Sequence, residues 1–113
     1  MGPPIDVEAV VADPDRDFPA LYQLFGGYFH QDWTLEYESW GDAAAAFVVE
    51  APKDARADAA SELSTLLNAR RDAEIDEAGL SRLLYPGFDC NYIPAVDGLE
   101  PSQWLNLLRD AIS

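Results

Sequence analysis

Basic residues are scarce in this chain. Seven Lys and Arg stand against 21 Asp and Glu in 113 residues, for a net charge of −14. Too few cations are present to neutralise phosphates along a nucleic-acid backbone and release their counterions, or to hold the chain on an anionic membrane. Any partner drawn by charge is expected to be basic. With a single cysteine, Cys90, no internal disulfide and no thiolate zinc cluster can form, and a free thiol suits a reducing compartment. Long apolar runs are also lacking. The longest, Ala43 to Val49, falls far short of the roughly 20 residues that span a bilayer. The N-terminal stretch MGPPIDVEAVVADPDRD has no positive n-region of a secretion signal. The expected location is the cytoplasm.

What is present suffices for one domain. Hydrophobic residues make up 49% of the chain, and its length matches the roughly 100–150 residues at which domains cluster. Residues 1–17, with prolines and acids around Ile5, Val7, Val10 and Val11, read as an N-terminal arm, packed or frayed. Residues 18–113 read as the domain.

From Phe18 the apolar spacing predicts a helix, with Leu21, Phe25 and Tyr28 in step and Leu24 and Phe29 widening the stripe. Pro19 suits its first turn. Gly26 and Gly27 interrupt it at about 1 kcal/mol each relative to Ala. Because the stripe stays in phase on both sides, close approach of another helix is expected there. A second helix starts at Ser39, with Asp42 placed for a box-like cap and Trp40, Ala43, Ala44, Phe47, Val48 and Ala51 on one face. A third runs from near Pro52 towards Arg70, with Ala59, Leu63, Leu66 and Leu67 inward and Asp54, Asp58 and Glu62 in one acidic column opposite. The column reads as a solvated face, or alternatively as a surface for a basic protein. A short fourth helix spans about Asp76 to Tyr85, burying Leu80, Leu83 and Leu84 and ended by Pro86-Gly87. The last opens at Pro101 and buries Trp104, Leu105, Leu108, Ala111 and Ile112. Thr34 to Glu38 alternates, but an isolated strand has no partner and is expected as loop. The fold class is therefore all-α, a single compact domain of about five helices. Two loops look functional, His30 to Glu38 and Pro86 to Glu100, because long irregular stretches are uncommon in compact domains.

Chemistry is sparsely provided. His30 is the only histidine, and a triad with Cys90 would lack a glycine-rich oxyanion loop. Cys90 is expected as a buried thiol. His30 and Asp32, with Glu36 or Glu38, could offer metal ligands, but there is no Asp-x-Asp-x-Asp-Gly loop. His30 is expected to hydrogen-bond at the end of the first helix. Paired carboxylates show neither a raised pKa nor a cleft from sequence alone. No catalytic residue, cofactor or metal is expected. Asp32 would fall on the apolar stripe if the first helix continued, so either the helix ends first or the carboxylate is buried with a partner. In the first loop Asp32, Glu36 and Glu38 alternate with Trp33 and Tyr37, the mixture of aromatic area and charge found at protein-binding hot spots. Trp33 serves equally well as a core residue.

The segment LYQLFGGYFHQDWTLEYESW, Leu21 to Trp40, resembles the N-terminal motif of CdiI-type immunity proteins of bacterial contact-dependent growth inhibition systems. The run from Phe25 to Trp33 carries most of the match. A second block, Cys90-Asn91-Tyr92-Ile93-Pro94 followed by Asp97-Gly98 and Trp104-Leu105, extends it over roughly residues 18–112. The resemblance implies a small helical protein, without catalysis of its own, that binds and neutralises the C-terminal toxin domain of a co-encoded exoprotein. Nucleases are common among such toxins, and an RNase A-like ribonuclease is one type. A nuclease site is basic because it holds phosphates, so an acidic plug fits it, and charge complementarity speeds capture. Shared motif residues are expected to build the fold, whereas contacts diversify. The expected toxin contacts, chosen by their chemistry, are Asp32, Glu36, Tyr37 and Glu38 in the first loop with Asp89, Tyr92 and Asp97 in the second. A monomer in a 1:1 complex is expected. Two rivals stand beside this reading: another acidic interaction module, such as a nucleic-acid mimic or anti-regulator, and a small enzyme built on His30.

Overall fold

The computed structural model describes residues 5–113; the first four residues of the N-terminal arm lie outside them. Helices α1 (Val7–Ala12), α2 (Pro14–Asp17), α3 (Pro19–Tyr28), α4 (Trp33–Glu36), α5 (Trp40–Glu50), α6 (Lys53–Arg71), α7 (Glu77–Arg82) and α8 (Pro101–Ile112) follow in order, with no strand among the described residues. A wide turn, Leu83–Gly87, extends α7, and a 3-10 turn, Pro94–Asp97, precedes α8. The all-α expectation holds. The helices are more numerous than expected because the arm and the first loop each contribute short ones.

Helix α8 is the central element, packed against α5, α6 and α7, while α3 lies across α5 and α6. The apolar stripes read from the sequence meet here: Leu21, Leu24 and Phe25 of α3, Leu63 and Leu66 of α6, and Trp104, Leu105 and Leu108 of α8 are all enclosed. Burial of a large apolar side chain stabilises by about 1.5–3 kcal/mol, so this shared core accounts for why short helices persist. The described part of the arm joins it. Asp6 caps α1 by accepting from the Ala9 N–H at 3.2 Å, Val10 is buried, and Glu8 pairs with Arg82 at 2.8 Å.

Several expectations need correction. A Cβ on Gly26 or Gly27 would meet nothing within 4 Å, so no helix approaches there; both glycines face outward. Ala111 is exposed, because α8 turns its last apolar contact through Ile112 instead. Trp33 to Glu36 forms a helical turn rather than loop. Ser39 does cap α5, its hydroxyl oxygen accepting from the Asp42 N–H at 3.2 Å. The full reciprocal box occurs at α8, where Gln103 accepts from the Glu100 N–H at 2.8 Å and Glu100 caps in return.

The acidic column is split by function. Asp54 and Asp58 are exposed, but Glu62 is half-buried and reaches the start of α3. There its carboxylate accepts from the Leu21 N–H at 3.0 Å and the Ala20 N–H at 3.3 Å. The first N–H groups of a helix have no internal acceptor and carry the positive end of its dipole. The side chain of Phe18, at the cap position of α3, has no acceptor to offer these N–H groups, so a residue far along the chain supplies one. Burial pushes the Glu62 carboxyl above its ordinary range, while the two N–H groups pull it back.

Glu77 joins three helices. Its carboxylate accepts from Arg70 Nε at 2.6 Å, the Ser102 N–H at 2.9 Å and the Ser102 hydroxyl at 2.7 Å. Burial alone would raise its pKa, but those donors together hold it below the ordinary 4.5.

Glu62→Ala should lower unfolding stability by about 1–2 kcal/mol, as loss of a cap does, while Glu62→Gln, which keeps an acceptor, should retain most of it; chemical denaturation separates the two. For Glu77, a folded-state pKa below the unfolded value means stability present above about pH 4.5 and lost as pH falls through the folded value. Glu77→Gln should therefore lower Tm at pH 7, and melting curves taken at successively lower pH should show the gap to wild type closing below that point.

Candidate functional site

The two irregular segments meet on one side of the core. Helix α3 ends at Tyr28, with the Phe29 N–H bonded to the Phe25 carbonyl at 2.9 Å, so the helix stops before Asp32 and leaves that carboxylate exposed. His30 organises the turn that follows. Its Nδ1 accepts from the Asp32 N–H at 3.1 Å, its Nε2 lies 3.6 Å from Glu36 Oε2, and its carbonyl accepts from the Trp33 N–H at 3.0 Å. This is the helix-end role expected of it. Trp33 turns inward onto Phe29 and Tyr92, each with ring centroids 5.7 Å away, and is a core residue. Tyr37 is half-buried and stacks on Tyr28 at 6.3 Å; burial, then Glu50 and Glu36, raise its hydroxyl pKa. The Tyr28 hydroxyl donates to Glu50 at 2.7 Å, and burial together with that carboxylate pushes it up to about 12. Glu36 and Glu38 are exposed.

The second segment hangs on the first. The Asn91 N–H donates to the Phe29 carbonyl at 2.8 Å, and the Asn91 side-chain amide donates to it at 3.3 Å and to the Asp89 carbonyl at 2.9 Å. Asp89 is exposed and adopts a left-handed backbone, φ 57°, which Asp tolerates better than most residues. Cys90 is only 1% exposed, and its thiol donates to the Tyr92 carbonyl at 3.6 Å. Burial pushes that thiol up to about 12, which leaves almost no thiolate at neutral pH. Tyr92 is buried against Trp104, with centroids 4.8 Å apart. Its hydroxyl donates to Asp97 Oδ2 at 2.6 Å, and burial, reinforced by Asp97, holds it well above its ordinary pKa. The 3-10 turn closes at Gly98, whose φ of 73° suits glycine.

Between the two segments runs a groove of about 400 Å³, lined by Trp33, Thr34, Glu38 and Trp40 on one side and by Tyr92, Ile93, Val96 and Asp97 on the other. A smaller groove of about 270 Å³ lies beyond Ile93, lined among others by Tyr85 and Cys90. Of the seven residues singled out from the sequence, the larger groove brings together Glu38, Tyr92 and Asp97. Asp32 and Glu36 instead flank His30, Tyr37 packs on Tyr28, and Asp89 stands on its own turn. Ile93 and Val96, 61% and 78% exposed, were not anticipated. Aliphatic residues at Ile93 and Val96, close to the acid Asp97 in a long irregular segment, were the available signal. Among the described residues no group of three or more His, Cys, Asp or Glu is placed to hold a metal ion, and no helix is long and apolar enough to cross a membrane.

Comparison with known proteins decides the family. The sequence pattern of CdiI immunity proteins matches residues 17–112. The chain belongs to the CdiI immunity protein family. Its fold is also that of a chain in the crystal structure of the CdiA-CT/CdiI complex from Y. kristensenii 33638, with a TM-score of 0.77 at 20% identity, covering 87% of this chain and 100% of that one. No curated protein matches the sequence. Membership in this immunity family supports toxin neutralisation as the role of the chain.

The state of Cys90 is directly measurable. In the native CdiI protein at pH 8 the thiol should react with a disulfide reagent at least about 100-fold more slowly than in the urea-unfolded chain, since the thiolate is the reactive form and burial suppresses it.

Proposed function

We propose that this CdiI protein neutralises the C-terminal toxin domain of a contact-dependent growth inhibition exoprotein by binding it as a monomer, 1:1, in the cytoplasm. The toxin is a basic nuclease, with an RNase A-like ribonuclease as the form that an acidic plug suits best. The observation that carries this reading is the meeting of two acid-bearing segments at one groove, with Glu38 from the first and Asp97 from the second. Across the described residues the ion pairs engage four arginines and one histidine, so most of the 21 acids have no cationic partner there and their charge is available to attract a basic surface. Long-range attraction of this kind accelerates encounter and weakens with salt. The solved CdiA-CT/CdiI complex of Y. kristensenii 33638 supports the class of partner.

The experiment is survival. The C-terminal domain of the exoprotein encoded beside this gene is induced with and without the CdiI protein, and complex formation is followed by co-purification. Rescue with a stoichiometric complex is expected. A toxic domain with neither rescue nor complex would remove this reading in favour of an acidic module directed at another basic protein. The double substitution Glu36→Lys with Glu38→Lys should weaken capture by about tenfold or more, mainly through slower association at low salt, with Tm unchanged. Both side chains are exposed, and the His30–Glu36 contact is a surface pair of little energetic worth.

A further inference from the structure

The groove between α4 and the 3-10 turn has a composition that general acidity does not explain. We propose that it is the seat of one long basic side chain of the toxin domain, an arginine or lysine, with Ile93 and Val96 packing against apolar atoms beside it. This rests on the immunity reading above and specifies where on the acidic face contact is centred. Three observations lead there. Rings of Trp33, Trp40 and Tyr92 line the groove, and each is fixed by the core: Trp33 against Phe29, Tyr92 and Trp40 against Trp104. Aromatic faces attract a cation and accept the aliphatic stem of Arg or Lys.

The groove also contains two carboxylates, and both are available. Tyr92 holds Asp97 through Oδ2, leaving Oδ1 without a donor among the described residues. Glu38 has no hydrogen-bond or ion-pair partner among them. By contrast Glu62 and Glu77 are engaged within the fold. Finally, Ile93 and Val96 stand exposed at the lip, whereas Phe88, Tyr92 and Pro94 of the same segment are buried. Aliphatic side chains held in water beside free carboxylates and ordered rings form the mixed surface on which binding energy concentrates. A second copy of this chain, also at −14, is repelled, and so is any phosphate; a basic protein segment is the occupant that fits. Arginine is the stronger fit of the two cations, because its planar guanidinium stacks on rings and meets a carboxylate with paired donors.

The test uses the complete CdiI protein and the toxin domain encoded beside it. Three variants are compared with wild type for affinity and dissociation rate. Glu38→Gln with Asp97→Asn removes both groove charges at constant shape. Val96→Trp fills the lip while leaving the acids. Asp54→Asn with Asp58→Asn removes the same charge from the exposed face of α6. The groove pair should raise Kd by about 30-fold or more and Val96→Trp by about tenfold, both chiefly through faster dissociation, as truncated hot spots do. The α6 pair should change Kd by less than about threefold, the range expected of remote charges. Circular dichroism and Tm confirm that each variant is folded. Alanine substitution of the toxin's Arg and Lys residues, one at a time, should find one whose loss is non-additive with the groove pair. Equal weakening by the groove and α6 pairs would show that only total charge matters and would overturn the seat. Wild-type affinity in all groove variants would overturn it while leaving the immunity function standing. Failure of the wild-type chain to form any complex would overturn both.

Discussion

The indole of Trp104 is completely enclosed, and the position of the exposed face depends on it. Rings from three other parts of the chain close on it: Phe25 and Phe29 at and just beyond the end of α3, Trp40 at the start of α5, and Tyr92 from the second irregular segment, with centroids between 4.8 and 6.1 Å away. Tilted and edge-to-face pairs of this kind add about 0.5–1.5 kcal/mol each beyond the area they bury. Against that stands the indole N–H, which is buried without an acceptor among the described residues, a cost of about 1–3 kcal/mol. The balance favours the ring cluster, and the cluster in turn fixes both segments that carry the free acids. Core and groove thus share residues: Trp33 and Tyr92 pack into the ring cluster and also line the groove.

Much of this was legible in the sequence, and the parts that were not share a physical cause. Apolar periodicity located α3, α5, α6 and α8, because a stripe repeating every three to four residues has one solution in a small helical domain. Ser39 announced its helix because capping is a local interaction. Glu62 could not be read in the same way. It caps a helix that lies far from it in sequence, and a column of acids on one helix looks identical whether solvent or another helix end lies opposite. Gly26 and Gly27 misled for the converse reason: the stripe continued through them, but the face they occupy is the outward one. The first loop became α4 because the bond from the Tyr37 N–H to the Trp33 carbonyl, 2.9 Å, closes a turn that too few residues signalled. Of the residues at the groove, Glu38 and Asp97 were visible as charges, whereas Ile93 and Val96 stand out only because they are left outside a core that absorbed their neighbours.

Acid content itself divides into two populations. Asp6, Asp76, Glu62, Glu77 and Glu100 each serve a helix end through backbone or side-chain donors. They are spent within the fold and hidden from a partner's field to varying degrees. Glu38, Asp54 and Asp58 do no such work. A net charge of −14 therefore overstates the chemically free charge and says nothing about where it lies. The asymmetry matters because self-repulsion among the free acids opposes compaction, while the engaged ones favour it.

One consequence follows from the way the second irregular segment is fastened. It has little regular structure, yet Asn91 ties it to the end of α3, Tyr92 is inserted beneath it, and the Tyr92 hydroxyl clasps Asp97. Its conformational entropy is consequently lost when the chain folds, before any partner arrives. A surface ordered in advance docks without waiting for a loop to settle, and less of the binding energy is consumed in freezing it. For a protein that must intercept a toxin before the toxin reaches its target, such readiness converts fold stability directly into speed of protection.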